Sequence, residues 1–112
     1  MAPQQRDQMI ADFQQAVNMT PGQLEHWLRS KESQQVGQKH GDEESTGHAS
    51  GRRIVALQRK KKKELTPDDL AHMRKVVGYI HRHLAQRPRG DVHDSAWRYS
   101  LMNWGHDPEA DD

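Results

Sequence analysis

The stretch LTPDDLAHMRKVVGYIHRHLAQ, residues 65–86, carries the strongest structural signal in the chain. Thr66 and Pro67 are typical of the cap and the first position of a helix, and two acidic residues follow in the first turn, where the helix dipole favours them. Apolar residues then recur at spacings of three and four, which is the period of one helix face. They are Leu70, Met73, Val77, Ile80 and Leu84. The stretch therefore predicts one long amphipathic helix that ends before Pro88.

Helical signals also flank this stretch on both sides. Apolar residues recur at helical spacing before residue 18, and Thr20-Pro21 opens a second helix much as Thr66-Pro67 opens the long one. The predicted helices cover residues 7–17, 20–30, 50–63, 66–86 and 95–103, and Gly105 ends the last of them. No segment shows the sustained alternation of apolar and polar residues that is typical of a strand. We predict an all-α fold, a small bundle of four to five helices whose third and fourth helices form an antiparallel centre.

Composition limits the chain to one small domain. The 112 residues are 32% hydrophobic with a mean hydropathy of −1.15, so we expect a modest core. The absence of cysteine excludes disulfides, and no apolar run approaches the about 20 residues that cross a bilayer. We expect a cytoplasmic protein with a flexible tail at residues 1–6, a helical domain at 7–104 and an acidic flexible tail at 105–112. Residues 38–50, which include two glycines, are predicted to form a mobile loop.

Charge is unevenly distributed along the chain. Residues 51–90 hold twelve Lys and Arg against three acidic residues, a formal charge of +9, whereas residues 1–50 carry −3 and residues 91–112 carry −5. Such polarity favours a polyanionic partner. On a helical wheel, cations gather on one side of the third helix and along one stripe of the fourth, so packing these helices side by side would join them. The predicted nucleic-acid contacts are Arg52, Arg53, Arg59, Lys60, Lys63, Lys75, Tyr79 and Arg82.

These residues predict binding of nucleic acid through its phosphates. Tyr79 lies between Lys75 and Arg82 and is placed to stack on an exposed base. The third and fourth helices meet at a short turn, as in a helix-turn-helix, but the second helix would begin with Asp68 and Asp69, which repel phosphate. We therefore expect largely non-specific contact with the DNA backbone. The sequence does not distinguish DNA from RNA.

Other interpretations of the same surface stay open. A charged helix face is often only solvated, and an acidic protein is an alternative partner. The ridge formed by Ala71, Gly78 and Ala85 would also let a helix of a second copy approach closely. Arg74 and His81 lie beside this ridge, so we expect them to be partly enclosed and paired with the acidic carboxyl-terminal segment, with a ligand-binding pair as the alternative.

Nothing in the sequence favours catalysis, a cofactor or a metal. It contains no Gly-rich phosphate loop, nucleophile elbow or Cys–His pair. Of the eight histidines, His81 and His83 are the closest pair, but their side chains lie about 200° apart on a helix and cannot share one ion. Trp97, Leu101 and Trp104 share one helix face and are predicted to belong to the core.

Five segments of the chain carry a resemblance to a known family. They are VNMTP (17–21), SGRRI (50–54), LTPDD (65–69), HMRKVVGYIHRHLAQRP (72–88) and WRYSLMNWGHDP (97–108). From about Asp12 to Pro108 the chain resembles a microbial family of small proteins catalogued as a domain of unknown function, DUF3140. Some members are labelled DNA-binding proteins, so the resemblance implies nucleic-acid binding and supplies no catalytic or ligand residues.

Overall fold

The computed structural model describes residues 3–36 and 45–110, and every regular element within these ranges is helical. The α-helices are α1 (Pro3–Ala16), α2 (Pro21–Leu28), α3 (Lys31–Gln35), α4 (Thr46–Arg59), α5 (Pro67–Leu84) and α6 (Ala96–Asn103), and a short 3₁₀ turn covers Lys62–Glu64. The predicted all-α class is confirmed. The described ranges hold six α-helices, one more than the predicted four to five, because the short helix α3 follows the predicted end of the second helix at residue 30.

Local capping explains why the long helix α5 begins where the sequence predicted. The Thr66 hydroxyl accepts the backbone N–H of Asp69 at 3.1 Å, and the Asp69 carboxylate accepts the backbone N–H of Thr66 at 3.0 Å. Thr20 and Gln23 form the same reciprocal pair at the start of α2. Each pair satisfies N–H groups that a helix start leaves without partners.

Helix α4 begins earlier than the sequence predicted. The Ser45 hydroxyl accepts the backbone N–H of His48 at 3.1 Å, and the helix then runs through residues 46–50, which were predicted to belong to a mobile loop. The remainder of that predicted loop, residues 38–44, lies outside the described residues. At its other end α4 stops at Arg59, four residues before the predicted end at Lys63.

Two helix pairs, joined by α6, build the core. Helix α1 packs against α5 and α2 packs against α4, while α6 contacts α2, α3, α4 and α5. The prediction that α4 and α5 form the antiparallel centre is wrong, because these two helices contact each other far less than they contact α2 and α1. The largest fully buried apolar side chains are Leu24, Ile54, Ile80 and Leu101. Each contributes about 1.5–3 kcal/mol through its removal from water.

The carboxyl-terminal segment is anchored to the helical core through Asp107. Arg98 donates from Nε and Nη2 to the two carboxylate oxygens of Asp107, both at 3.1 Å. The Asn18 side chain donates to the Asp107 carbonyl at 2.9 Å and accepts its N–H at 2.7 Å. A flexible acidic tail was predicted from residue 105, and these contacts instead hold Asp107 against Asn18, which lies between α1 and α2, and against Arg98 near the start of α6. At the other end α1 already begins at Pro3, inside the predicted flexible tail at residues 1–6.

Across the described ranges, none of the helices combines the length and apolar character that a bilayer span requires.

Candidate anion-binding surface

Three of the cations predicted to contact nucleic acid are paired within the chain. Arg59 forms an ion pair with Glu25 of α2. Lys60 Nζ donates to Asp69 Oδ2 at 2.6 Å, and Arg53 Nη2 lies 3.6 Å from Asp69 Oδ1. Two of the chain's own carboxylates therefore offset most of the charge of these three cations.

The Asp69 carboxylate is the centre of this pairing. Its hydrogen bond with Lys60 and the N–H of Thr66 lower its pKa from 3.8 to about 2. Asp69 therefore stays ionised at neutral pH, caps α5 and holds the end of α4 against it. The sequence predicted Asp69 as an acid of the first helical turn that would repel phosphate, but it did not predict the pairing with Lys60 and Arg53.

The other predicted contacts lie in three places. Arg52 is exposed on α4, and Lys63 is exposed in the 3₁₀ turn. Lys75, Tyr79 and Arg82 come together on α5, where all three line one cleft. The structure thus separates the predicted face into a paired α4 part and an α5 part.

The outer face of α5 carries cations that no described carboxylate balances. Residues 70–90 contain five Lys and Arg, three His and no acidic residue. Arg74, Lys75 and Arg82 are exposed, and among the described residues none of them forms an ion pair. The predicted enclosure of Arg74 and His81 is wrong, since both are exposed and Asp107 pairs with Arg98 instead.

A cleft of about 470 Å³ opens between the start of α4, the middle of α5 and the end of α6. The residues that line it are Thr46, Gly47, Lys75, Tyr79, Arg82, Ser100, Asn103 and Trp104. None of these residues is acidic. The Arg82 Nη1 atom lies 3.2 Å from the place where a Cβ on Gly78 would stand, so the missing side chain leaves room for the guanidinium on α5. The cleft is therefore lined with cations and aromatic rings.

Five aromatic rings form a column beside the cleft. In order they are His72, Trp104, Tyr79, His83 and Trp97, with successive centroid distances of 6.4, 4.2, 5.2 and 6.0 Å and interplanar angles of 14–16°. Trp104 and His83 both stack on the Tyr79 ring, so in this arrangement Tyr79 already has aromatic partners within the chain. The column stiffens the cleft wall, since each stacked pair adds about 0.5–1.5 kcal/mol beyond burial.

Burial shifts the pKa values of three groups in this column. It lowers the pKa of His72 and of His83 and raises the pKa of the Tyr79 hydroxyl, because the charged form of each group is poorly solvated. His72 Nε2 also lies 3.0 Å from the Ser50 hydroxyl. Ser50 is only 5% exposed, so this serine–histidine contact gives a substrate little access. Its evident effect is to orient the imidazole.

Across residues 3–36 and 45–110, no group of three or more His, Cys, Asp or Glu side chains is placed to hold an ion. Of the histidine pair singled out in the sequence, His81 is exposed and His83 is a member of the aromatic column.

The family model described as protein of unknown function (DUF3140) matches residues 12–102, a range that runs from α1 into α6. The searches of curated proteins and of solved structures found no match.

Proposed function

We propose that this chain, which belongs to the DUF3140 family of proteins of unknown function, is a non-catalytic nucleic-acid-binding protein that contacts phosphates along α5. The observation that carries the proposal is the acid-free face of α5. Arg74, Lys75 and Arg82 are exposed there with no carboxylate partner among the described residues. Each cation that neutralises a phosphate releases bound counterions, which favours association.

The spacing of these cations suits a phosphate backbone. At about 100° per residue, Arg74, Lys75 and Arg82 fall within about 100° of one another around α5. Lys75 and Arg82 are separated by about 10 Å along the axis, which spans roughly three phosphates of one DNA strand. Arg87 and Arg89 follow beyond the end of the helix and extend the same acid-free segment. A line of positive charge of this length favours the backbone as the ligand.

Readout of base sequence has less support. The α5 amino terminus begins beside the exposed Asp68, which repels phosphate, and Tyr79 already stacks with two rings of the chain. Binding is therefore expected to be largely independent of sequence. The dissociation constant at physiological salt then falls within about 10⁻⁴ to 10⁻⁶ M, the range typical of non-specific binding.

A matched pair of triple variants tests the surface. Arg74→Ala, Lys75→Ala and Arg82→Ala together remove three charges from α5, and Arg6→Ala, Arg29→Ala and Lys31→Ala remove three charges from α1 to α3. Fluorescence anisotropy with a labelled duplex at low salt measures both. We expect at least a tenfold loss of affinity in the α5 variant and a clearly smaller loss in the control. Equal losses would show that only net charge matters and would refute this surface.

The exposed ridge of α5 favours a second candidate, a homo-oligomerising or protein-binding module. Ala71 and Ala85 are exposed, and a Cβ on Gly78 would meet only the end of the Arg82 side chain. A helix of another copy could approach closely along these three residues. Light scattering, together with the duplex-binding measurement, separates the candidates. A stable dimer that does not bind DNA supports the second, and a monomer that binds DNA supports the first.

A further inference from the structure

The three tryptophans differ in how their indole N–H groups are satisfied. Trp27 Nε1 donates to Asn103 Oδ1 at 2.7 Å, and Trp97 Nε1 donates to the His83 carbonyl at 2.7 Å. Trp104 is only 4% exposed, yet its Nε1 has no hydrogen-bond acceptor among the described residues. No described residue therefore competes with a ligand for the Trp104 N–H.

This free N–H borders the 470 Å³ cleft. Trp104 lines the cleft, and its Nε1 lies 3.1 Å from the position that a Cβ on Gly47 would take. Glycine at this position therefore leaves the space in front of the indole N–H open. Among the described residues, Gln58 Oε1 is the side-chain atom that is both fully buried and without a hydrogen-bond partner. Trp104 Nε1 also lacks a partner, so it is not fully buried and retains contact with solvent in the cleft.

The charged groups of the cleft are also hydrogen-bond donors, and its hydroxyl groups, from Thr46, Tyr79 and Ser100, can donate as well as accept. Lys75 and Arg82 are exposed and have no described carboxylate partner. The acceptor Asn103 Oδ1 is already occupied by Trp27 and by Ser33, whose hydroxyl lies 2.5 Å away. Two exposed cations and an indole N–H, with no acidic residue in the lining, favour a ligand that accepts hydrogen bonds and carries negative charge.

We propose that the cleft binds a terminal phosphate group, with Trp104 Nε1–H as hydrogen-bond donor and with Lys75 and Arg82 as charge partners. A terminal phosphate can enter a recess as an end group, whereas a phosphate inside a duplex backbone is linked on both sides. The group comes either from the end of a nucleic-acid strand or from a free nucleotide. For the first source the site rests on the proposed function, since it shares Lys75 and Arg82 with the α5 surface.

Nuclear magnetic resonance of the indole N–H groups tests the site with internal controls. The probes are inorganic phosphate, adenosine 5′-monophosphate, and one oligonucleotide with and without a 5′-phosphate, all added at constant ionic strength. We expect the Trp104 signal, identified by its loss in Trp104→Phe, to shift on addition of each phosphate monoester. The signals of Trp27 and Trp97 should move far less because their N–H groups already have acceptors. The double variant Lys75→Ala, Arg82→Ala should weaken the response at least fivefold.

The outcomes separate this site from the nucleic-acid surface. A Trp104 signal that stays fixed up to about 10 mM phosphate, or that moves equally with chloride, would overturn the site even if duplex DNA is retained. A phosphate-dependent shift without any duplex binding would support the site and overturn the surface. Tighter binding of the 5′-phosphorylated oligonucleotide than of the mononucleotide identifies a strand end as the source, and the reverse identifies a free nucleotide. A response that survives intact in the double variant would contradict the roles of Lys75 and Arg82.

Discussion

Substitution of Asp69 by asparagine separates charge pairing from helix capping. The fall in the Asp69 pKa from 3.8 to about 2 corresponds to about 2.4 kcal/mol at about 1.36 kcal/mol per unit. Lys60 and Arg53 are partly exposed, so solvent screening reduces the expected loss to about 1–2 kcal/mol. Asparagine keeps an oxygen that can accept the Thr66 N–H, so the cap is largely retained. We expect Asp69→Asn to lower the free energy of unfolding by that screened amount.

The pH dependence of the same variant has a definite sign. Because folding lowers the Asp69 pKa, its stabilisation is fully present above about pH 3.8 and is lost as the pH falls towards about 2. Urea denaturation at pH 7 and at several lower pH values should therefore show the two proteins converging in acid. Asp7→Asn, which removes an exposed charge from α1, is the matched control and should stay close to the wild type.

Binding provides an independent measurement on Asp69→Asn. The substitution releases Lys60 and Arg53 from their shared carboxylate, so we expect duplex binding to strengthen by more than it does in Asp7→Asn. A variant as stable as the wild type at pH 7, or a stability difference that persists unchanged at pH 2, would refute the pairing of Asp69 with these cations.

Three further predictions follow from single contacts. Gly51→Ala should prevent folding or lower the melting temperature severely in a thermal scan, because the new Cβ would lie 2.5 Å from the Asn103 carbonyl oxygen; a melt like the wild type's would contradict that approach. Arg98→Gln removes the paired hydrogen bonds to Asp107, so it should lower the free energy of unfolding in urea by about 1.5–3 kcal/mol and speed amide exchange at residues 105–109. Unchanged exchange would refute the anchor. The pKa of His72, measured by nuclear magnetic resonance, should lie below 6.5. The neutral form should stabilise the fold above pH 6.5, and this stabilisation should be lost as the pH falls through the lowered pKa. A titration midpoint at or above 6.5 would contradict the burial of His72.

The sequence predicted most accurately the features that depend on neighbouring residues. The start of α5 follows from Thr66-Pro67 because a cap and its N–H partner lie three residues apart. Gly105 was predicted to end the last helix, and its φ of +85° is the left-handed conformation that favours glycine. Such signals need no knowledge of tertiary packing.

Features that depend on packing between distant helices were not predictable in the same way. Ser45 was missed as a cap because the glycine at residue 47 resembles loop composition, although that glycine makes room for Trp104. The column and the cleft required knowing that α6 brings Trp104 against Tyr79. The paired state of the α4 cations likewise depended on where Asp69 and Glu25 lie in three dimensions.

The salt dependence of duplex binding tests the α5 phosphate surface most directly. With three to five phosphate contacts, the logarithm of the association constant should fall against the logarithm of salt concentration with a slope of about −2.7 to −4.5. Removing Arg74, Lys75 and Arg82 together should reduce the size of that slope by about 2.7, while the Arg6, Arg29 and Lys31 control should retain most of it. A slope that is the same in the wild type and the α5 variant, or no duplex binding at low salt, would contradict the proposed function.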